Sequence, residues 1–137
     1  MADIAITPAN VVAQGGAAKS TGTAGATITA GQALSRAANE TLILASDTTA
    51  PLAQVAGIAL HAASTGQPIN YVMAGDVNLG ATLTVGKQYV LSTAGGICPV
   101  DDIAGGEFAS IIGIAISASI LRLSILNSPV AAAGAVA

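Results

Sequence analysis

The feature that most constrains this chain is a short segment that returns, Gly57-Ile58-Ala59-Leu60 and later Gly113-Ile114-Ala115-Ile116. Each copy has a matching approach: Ile28-Thr29-Ala30-Gly31-Gln32-Ala33-Leu34 in the first half, Leu83-Thr84-Val85-Gly86-Lys87-Gln88-Tyr89 in the second. Gly31 and Gly86 lie 55 residues apart and Gly57 and Gly113 lie 56 apart, so one inserted residue brings the halves into register. A fixed offset of this kind marks a duplicated unit. In each copy a turn glycine launches one strand, and the Gly-Ile-Ala segment is a second, mostly buried strand. Ile69-Asn70-Tyr71-Val72-Met73 then follows the first copy much as Ile120-Leu121-Arg122-Leu123-Ser124-Ile125-Leu126 follows the second, which extends the duplication. Neither copy carries anything like catalytic machinery, so the unit reads as architecture.

Around this repeat, short β-compatible segments recur about every ten residues: 32–37, 42–44, 55–62, 68–73, 77–79, 88–91, 97–99, 110–116 and 120–126. Turn chemistry separates them, including Asn39-Glu40, Ser64-Thr65-Gly66, Ala74-Gly75-Asp76 and Thr93-Ala94-Gly95-Gly96. That spacing predicts an all-β body, a sandwich or a small closed barrel, over residues 27–126. Its core candidates are Ile58, Leu60, Ile112, Ile114, Ile116, Leu121, Leu123 and Ile125. Aspartate at Ile114 is accordingly expected to unfold the body, because an unpaired buried carboxylate costs several kcal/mol. Residues 47–56 read as the one local helix, with Asp47 or Thr48 as cap and Pro51 in the first turn, although Thr48, Thr49 and Val55 oppose it. Residues 1–26 form an N-terminal arm in which Ile4-Ala5-Ile6-Thr7 is extended and residues 14–23 are turn and linker material. This arm either frays or finds a partner surface that repays its ordering. Residues 127–137 read as an Ala-rich tail.

Composition narrows the function. The chain has 137 residues, of which four are Lys or Arg and seven Asp or Glu, so only 8% are charged. An ordinary soluble domain carries about 25%. A surface with so few charges is expected to be hidden against copies of the same chain or against a larger scaffold. Lys19, Arg36, Lys87 and Arg122 are scattered and form no basic stripe, and two Tyr, one Phe and no Trp give no set of stacking platforms, so direct nucleic-acid binding is not expected. The longest apolar run, residues 108–121, is too short to span a bilayer and is broken by Ser110, Gly113, Ser117 and Ser119, so no membrane partner is expected either. The start, Met1-Ala2-Asp3-Ile4, lacks a positive signal-peptide region, and the single Cys98 fits a reducing cytoplasmic origin.

The residues that could carry chemistry do not assemble into a site. His61 is the only histidine, and no Gly-x-Ser-x-Gly elbow accompanies it. Asp101 and Asp102 are adjacent and point opposite ways on an extended chain, which disfavours paired acid and base work. A loose calcium site from Asp101, Asp102 and Glu107 lacks regular ligand spacing, and a solvated turn is the simpler reading. Lys87 lacks the flanking methionines of a cofactor-carrying lysine and reads as a charge that blunts an edge strand. No enzyme activity, cofactor or metal is expected.

The run Gly86-Lys87-Gln88-Tyr89-Val90-Leu91-Ser92-Thr93-Ala94-Gly95-Gly96-Ile97, the acidic turn Asp101-Asp102, and Ile112-Gly113-Ile114-Ala115-Ile116 followed by Leu121-Arg122-Leu123 together resemble the head-decoration, or capsid cement, proteins of tailed bacteriophages. The resemblance covers roughly residues 31–127 and rests on composition and spacing, so no functional motif carries over residue by residue. It implies a compact β-barrel or β-tulip body without enzymatic activity. It also implies a trimer seated over junctions of the major capsid protein on the outer surface of the virion, made in the bacterial cytoplasm. Under this reading the arm supplies the capsid contact by strand addition, through Ile4, Ala5, Ile6 and Thr7 with Val11 and Val12 as apolar anchors, and deleting residues 2–14 would weaken attachment without unfolding the body. The competing expectation is a receptor- or glycan-binding β module of a phage tail or fibre, which exposed Tyr71 or Tyr89 would favour.

Overall fold

The computed structural model describes residues 4–48, 52–102, 108 and 110–127. Among them the regular structure is all β, apart from single 3₁₀ turns at Pro8–Asn10 and Val100–Asp102. Ten strands follow in chain order: β1 (Val12–Ala13), β2 (Ala18–Thr23), β3 (Ala33–Arg36), β4 (Leu42–Leu44), β5 (Val55–Ala59), β6 (Pro68–Asn78), β7 (Gln88–Leu91), β8 (Ile97–Pro99), β9 (Ile111–Ala115) and β10 (Ile120–Leu126). They form one curled antiparallel sheet in the order β4-β3-β5-β6-β10-β9-β7-β8, with β1 and β2 paired one after the other along the other edge of β6.

That order is the same from either end once the two repeats are exchanged. The first unit, β3 to β6, and the second, β7 to β10, meet where β6 pairs antiparallel with β10, from Ile120 opposite Asn78 to Leu123 opposite Gly75. A pseudo-two-fold axis therefore passes between these strands. The equivalence extends to register. Leu34 opposes Gly57 and the pairing then shifts before Ser35, while Tyr89 opposes Gly113 and the pairing shifts before Val90. Both units thus carry a bulge at the same place, with one extra residue, Ala56 or Ile112, on the longer side.

The repeated glycines have two physical roles. Gly31 and Gly86 have φ of 89° and 84°, a conformation that disfavours side chains, and each donates its N–H to the end of its own Gly-Ile-Ala strand, at Ala59 O and Ala115 O, both at 2.8 Å. Gly57 and Gly113 let the next strand approach. A Cβ on Gly57 would lie 2.5 Å from Val72 O, and one on Gly113 would strike Arg122 O. The motif returns because each unit packs its Gly-Ile-Ala strand against the backbone of the strand that follows.

Two clusters form the core. The smaller, with Ile28, Leu34, Leu42, Ile69 and Tyr71, fills the first unit, whose sheet nearly closes because Ala24 bridges Leu42 and Gly25 donates to Leu42 O at 2.8 Å. The larger joins the halves, packing Ala33, Ile58 and Val72 of the first unit against Tyr89, Leu91, Ile97, Ile112, Leu121 and Leu123 of the second.

Several expectations change. Residues 18–23, read as linker, are β2; Ala-Lys-Ser-Thr-Gly-Thr has no strand pattern of its own, and the edge of β6 recruits it. The turn expected at Ala74-Gly75-Asp76 lies inside β6, because β10 pairs across it. No helix forms over the described part of 47–56: Val55 and Ala56 belong to β5, where β3 takes their backbone, and 49–51 lie outside the described residues. The arm lies on its own body. Val11 is buried, Ile4 and Ile6 are half-buried against the larger core, and Ile4 donates to Ile97 O at 2.8 Å. Of the six residues expected to contact a capsid, only Ala5, Thr7 and Val12 are exposed, and removing 2–14 would strip side chains from the core. The tail from 128 onward lies outside the described residues.

Among the core candidates, Ile58, Ile112 and Leu121 are fully buried, Leu123 is buried and Leu60 and Ile125 are partly so. Ile114 and Ile116 are instead exposed, at 37% and 39%. The bulge at Ile112 moves the following residues to the other pleat, and no other described residues cover that side of the second unit.

Two predictions follow from this packing. Gly57→Ala and Gly113→Ala should each lose about 1–3 kcal/mol in urea unfolding through overpacking, whereas Gly15→Ala, with open space around it, should change little; equal effects at all three positions would refute the close approach. Ile112→Asp should leave the chain unfolded by circular dichroism, at a cost of several kcal/mol, and Ile114→Asp should leave it folded, reversing the expectation drawn from sequence.

Candidate interaction surface

The side chains singled out for chemistry are engaged locally. His61 accepts the Asn70 N–H at Nε2, 2.9 Å, and its Nδ1 lies 2.9 Å from Ala62 O, so the ring proton sits on Nδ1 and both nitrogens serve the turn between β5 and β6. The Ser117 hydroxyl accepts the N–H groups of Ser119 and Ile120 at 3.2 and 3.0 Å, closing the β9–β10 hairpin. Ser64 N–H donates to Gln67 Oε1. Lys87 pairs with Asp101 at 3.2 Å, tying the start of β7 to the turn after β8. Glu107, the third member of the calcium reading, lies outside the described residues, and among the described residues no three His, Cys, Asp or Glu side chains cluster as a metal site. Cys98 is buried. Apart from the Lys87–Asp101 pair, none of the described residues among these are brought together.

Both tyrosines are buried at 2%, with their hydroxyls accepting hydrogen bonds from Arg36 and from Thr84 N–H. Neither ring presents a face for a sugar. Asp47, read from sequence as a helix cap, is instead a buried carboxylate whose Oδ1 accepts the Thr93 hydroxyl at 3.3 Å. A surface hollow of about 600 Å³ is bounded by residues such as Ala5, Thr7, Asn10, Asn78 and Thr82 and is lined by no titratable side chain.

What the fold does build is an open apolar sheet face. The register sets Gln88, Ile114, Arg122 and Asp76 in one outward row across β7, β9, β10 and β6. One step along, Ile120 and Asn78 pair, with Val12 of β1 beyond them and Ile116 donating its N–H to Ile120 O. On the other side, Leu126 opposes Ile111. Val12, Ile114, Ile116 and Leu126, four of the six exposed large apolar side chains, therefore share this face. The signal was present in sequence as Arg122 and Ser124 alternating with buried Leu121 and Leu123; the bulge hid that Ile114 belongs beside Arg122. A depression of about 240 Å³ between Ile111, Ile114 and Leu126 is floored by Gly113.

The face carries one ion pair. Arg122 forks onto Asp76, Nε to Oδ1 at 2.9 Å and a terminal nitrogen to Oδ2 at 3.3 Å. The hydrogen bond and charge of Arg122 hold the Asp76 carboxyl below its ordinary value and raise the guanidinium's own. Asp101 is lowered likewise, first by its hydrogen bond from Lys87.

No protein-family model matches the chain, and no curated protein matches it by sequence. No helix among the described residues is long and apolar enough to cross a membrane.

Since the folded Asp76 and Asp101 values are lowered, their contribution is present above the ordinary carboxylate value of 3.8 and is lost as pH falls through the lowered folded values. Wild-type protein should lose a little more stability than Arg122→Gln between mildly and strongly acidic pH. Parallel loss in urea midpoints would show that the Arg122 pair contributes nothing.

Proposed function

We propose that this protein is a non-enzymatic structural component that binds the outside of a tailed-phage capsid as a homo-oligomer and cements neighbouring capsomers, three copies being the number that the resemblance to head-decoration proteins implies. The observation that carries the reading is the open, nearly uncharged sheet face around Ile114 and Leu126 on a chain with only 8% charged residues. Burying such a face is favourable at roughly 25 cal/mol per Å² of apolar surface, and leaving it wet invites non-specific association. A cement role also suits a compact sheet whose two halves share one core, since the protein must transmit load between the surfaces it bridges. Contact with the shell is assigned to the outward side chains of the N-terminal segment, Ala5 and Thr7, while Ile4, Ile6 and Val11 brace that segment on the body. Its major partner would be the major capsid protein, and its place the outer surface of the virion. The alternative, a glycan-binding tail module, is disfavoured by the burial of Tyr71 and Tyr89.

The test is co-sedimentation with emptied heads of the phage that encodes the chain. Saturable, stoichiometric binding that is weakened in Thr7→Glu is expected. Failure to bind heads, together with binding to host cells or their polysaccharide, would replace this reading with the tail module.

A further inference from the structure

We propose that the outward face of the second unit is a two-fold self-interface, covered in solution by the same face of a second copy of this chain. The inference rests on the self-association in the reading above but not on the shell contact. Its first ground is internal. Ala33, Ile58 and Val72 are the first-unit counterparts of Gln88, Ile114 and Arg122, and they are fully buried because the second unit packs over them. The counterpart face on the second unit keeps isoleucines at 114 and 116, yet nothing in the chain's described residues lies over it.

The second ground is charge. The face bears one cation and one anion side by side, Arg122 and Asp76, on the adjacent strands β10 and β6. Such a dipolar pair is self-complementary under a two-fold axis, where residue i meets j and j meets i. An axis lying in the interface along the β6–β10 seam sets Arg122 of each copy against Asp76 of the other, giving an alternating square of four charges. The same operation brings Ile116 of one copy over Val12 of the other, and Ile120 over Asn78. A face with unbalanced charge would repel its own copy; this one does not.

Size agrees with a specific contact of modest strength. Five strands at about 4.8 Å spacing and about four to five residues at 3.3 Å rise give roughly 20 Å by 15 Å. With side chains standing from the plane, two such faces bury somewhat under about 1,000 Å², the range of weak, reversible interfaces. The contact is a face-to-face stacking of two sheets, like those at the core of a β-sandwich.

Sedimentation equilibrium of the full chain, at tens of micromolar, tests this. An even-numbered assembly is expected: a dimer of the 13.1 kDa chain, or a hexamer if a separate contact also holds three copies together. Ile114→Glu and Leu126→Glu should each weaken self-association at least tenfold and halve the mass, with circular dichroism and unfolding midpoint retained, whereas Thr65→Glu on the exposed β5–β6 turn should leave the mass unchanged. If Ile114→Glu misfolds, Leu126→Glu, at a site 65% exposed, decides. A monomeric or trimeric wild type, or an even assembly that both folded variants leave intact, overturns the proposal. Loss of head binding with the two-fold assembly intact would instead count against the cement role alone.

Discussion

The structure depends on one seam. β6 and β10 are the last strands of two like units, and their antiparallel pairing from Asn78 and Ile120 to Gly75 and Leu123 makes a single sheet of what would otherwise be two small ones. A four-stranded sheet with one wet face, three of its strands only three to five residues long, has little to bury by itself. Joined at the seam, the units share the larger core, in which Ile58 and Val72 from one meet Leu91, Ile112 and Leu121 from the other. β6 is the longest strand because it serves both halves, with β5 and then β10 along one edge and β2 and then β1 along the other.

The two units are alike in backbone and unlike in surroundings. Gly57 and Gly113 sit at equal places beside the carbonyls of Val72 and Arg122, and both units bulge one residue before them. What differs is which side is covered. The first unit is filled by its own cluster and covered by its sibling; the second uses one side to do the covering, and no described residues cover the other. This difference makes an ordinary core residue of Ile58 and a surface residue of Ile114. The chemistry of the motif alone does not separate them.

Much of the fold was legible because turn residues punctuate it. β4, β7, β8 and β10 fall at the bounds that the sequence suggests, each closed off by Asn, Gly, Ser or Asp, and the duplication was visible in four residues. β2 was not legible: Lys19, Ser20 and Thr21 have no apolar alternation, and the strand exists through its hydrogen bonds to Ile69–Val72 on β6. The turn expected around Gly75 failed because glycine and aspartate carry the same local signal in a kinked long strand as in a hairpin. The exposed apolar face was hidden for a related reason. Period-2 reading assigns Ile112 and Ile114 to one side, and only the extra residue in the bulge, a feature of pairing and not of composition, separates them. The residues with chemical potential were legible mainly as isolated, and their partners, such as Asn70 N–H for His61, are backbone groups that sequence does not display.

The symmetric strand order bears on ancestry. A strand that can pair antiparallel with its own equivalent is what a small homodimer uses, and fusing two such subunits end to end would yield the order seen here, with the old dimer axis preserved inside one polypeptide. After fusion the halves no longer answer to the same selection. In such a fusion one half is free to become interior while its twin stays outside, which is the difference between the buried Ile58 and the exposed Ile114.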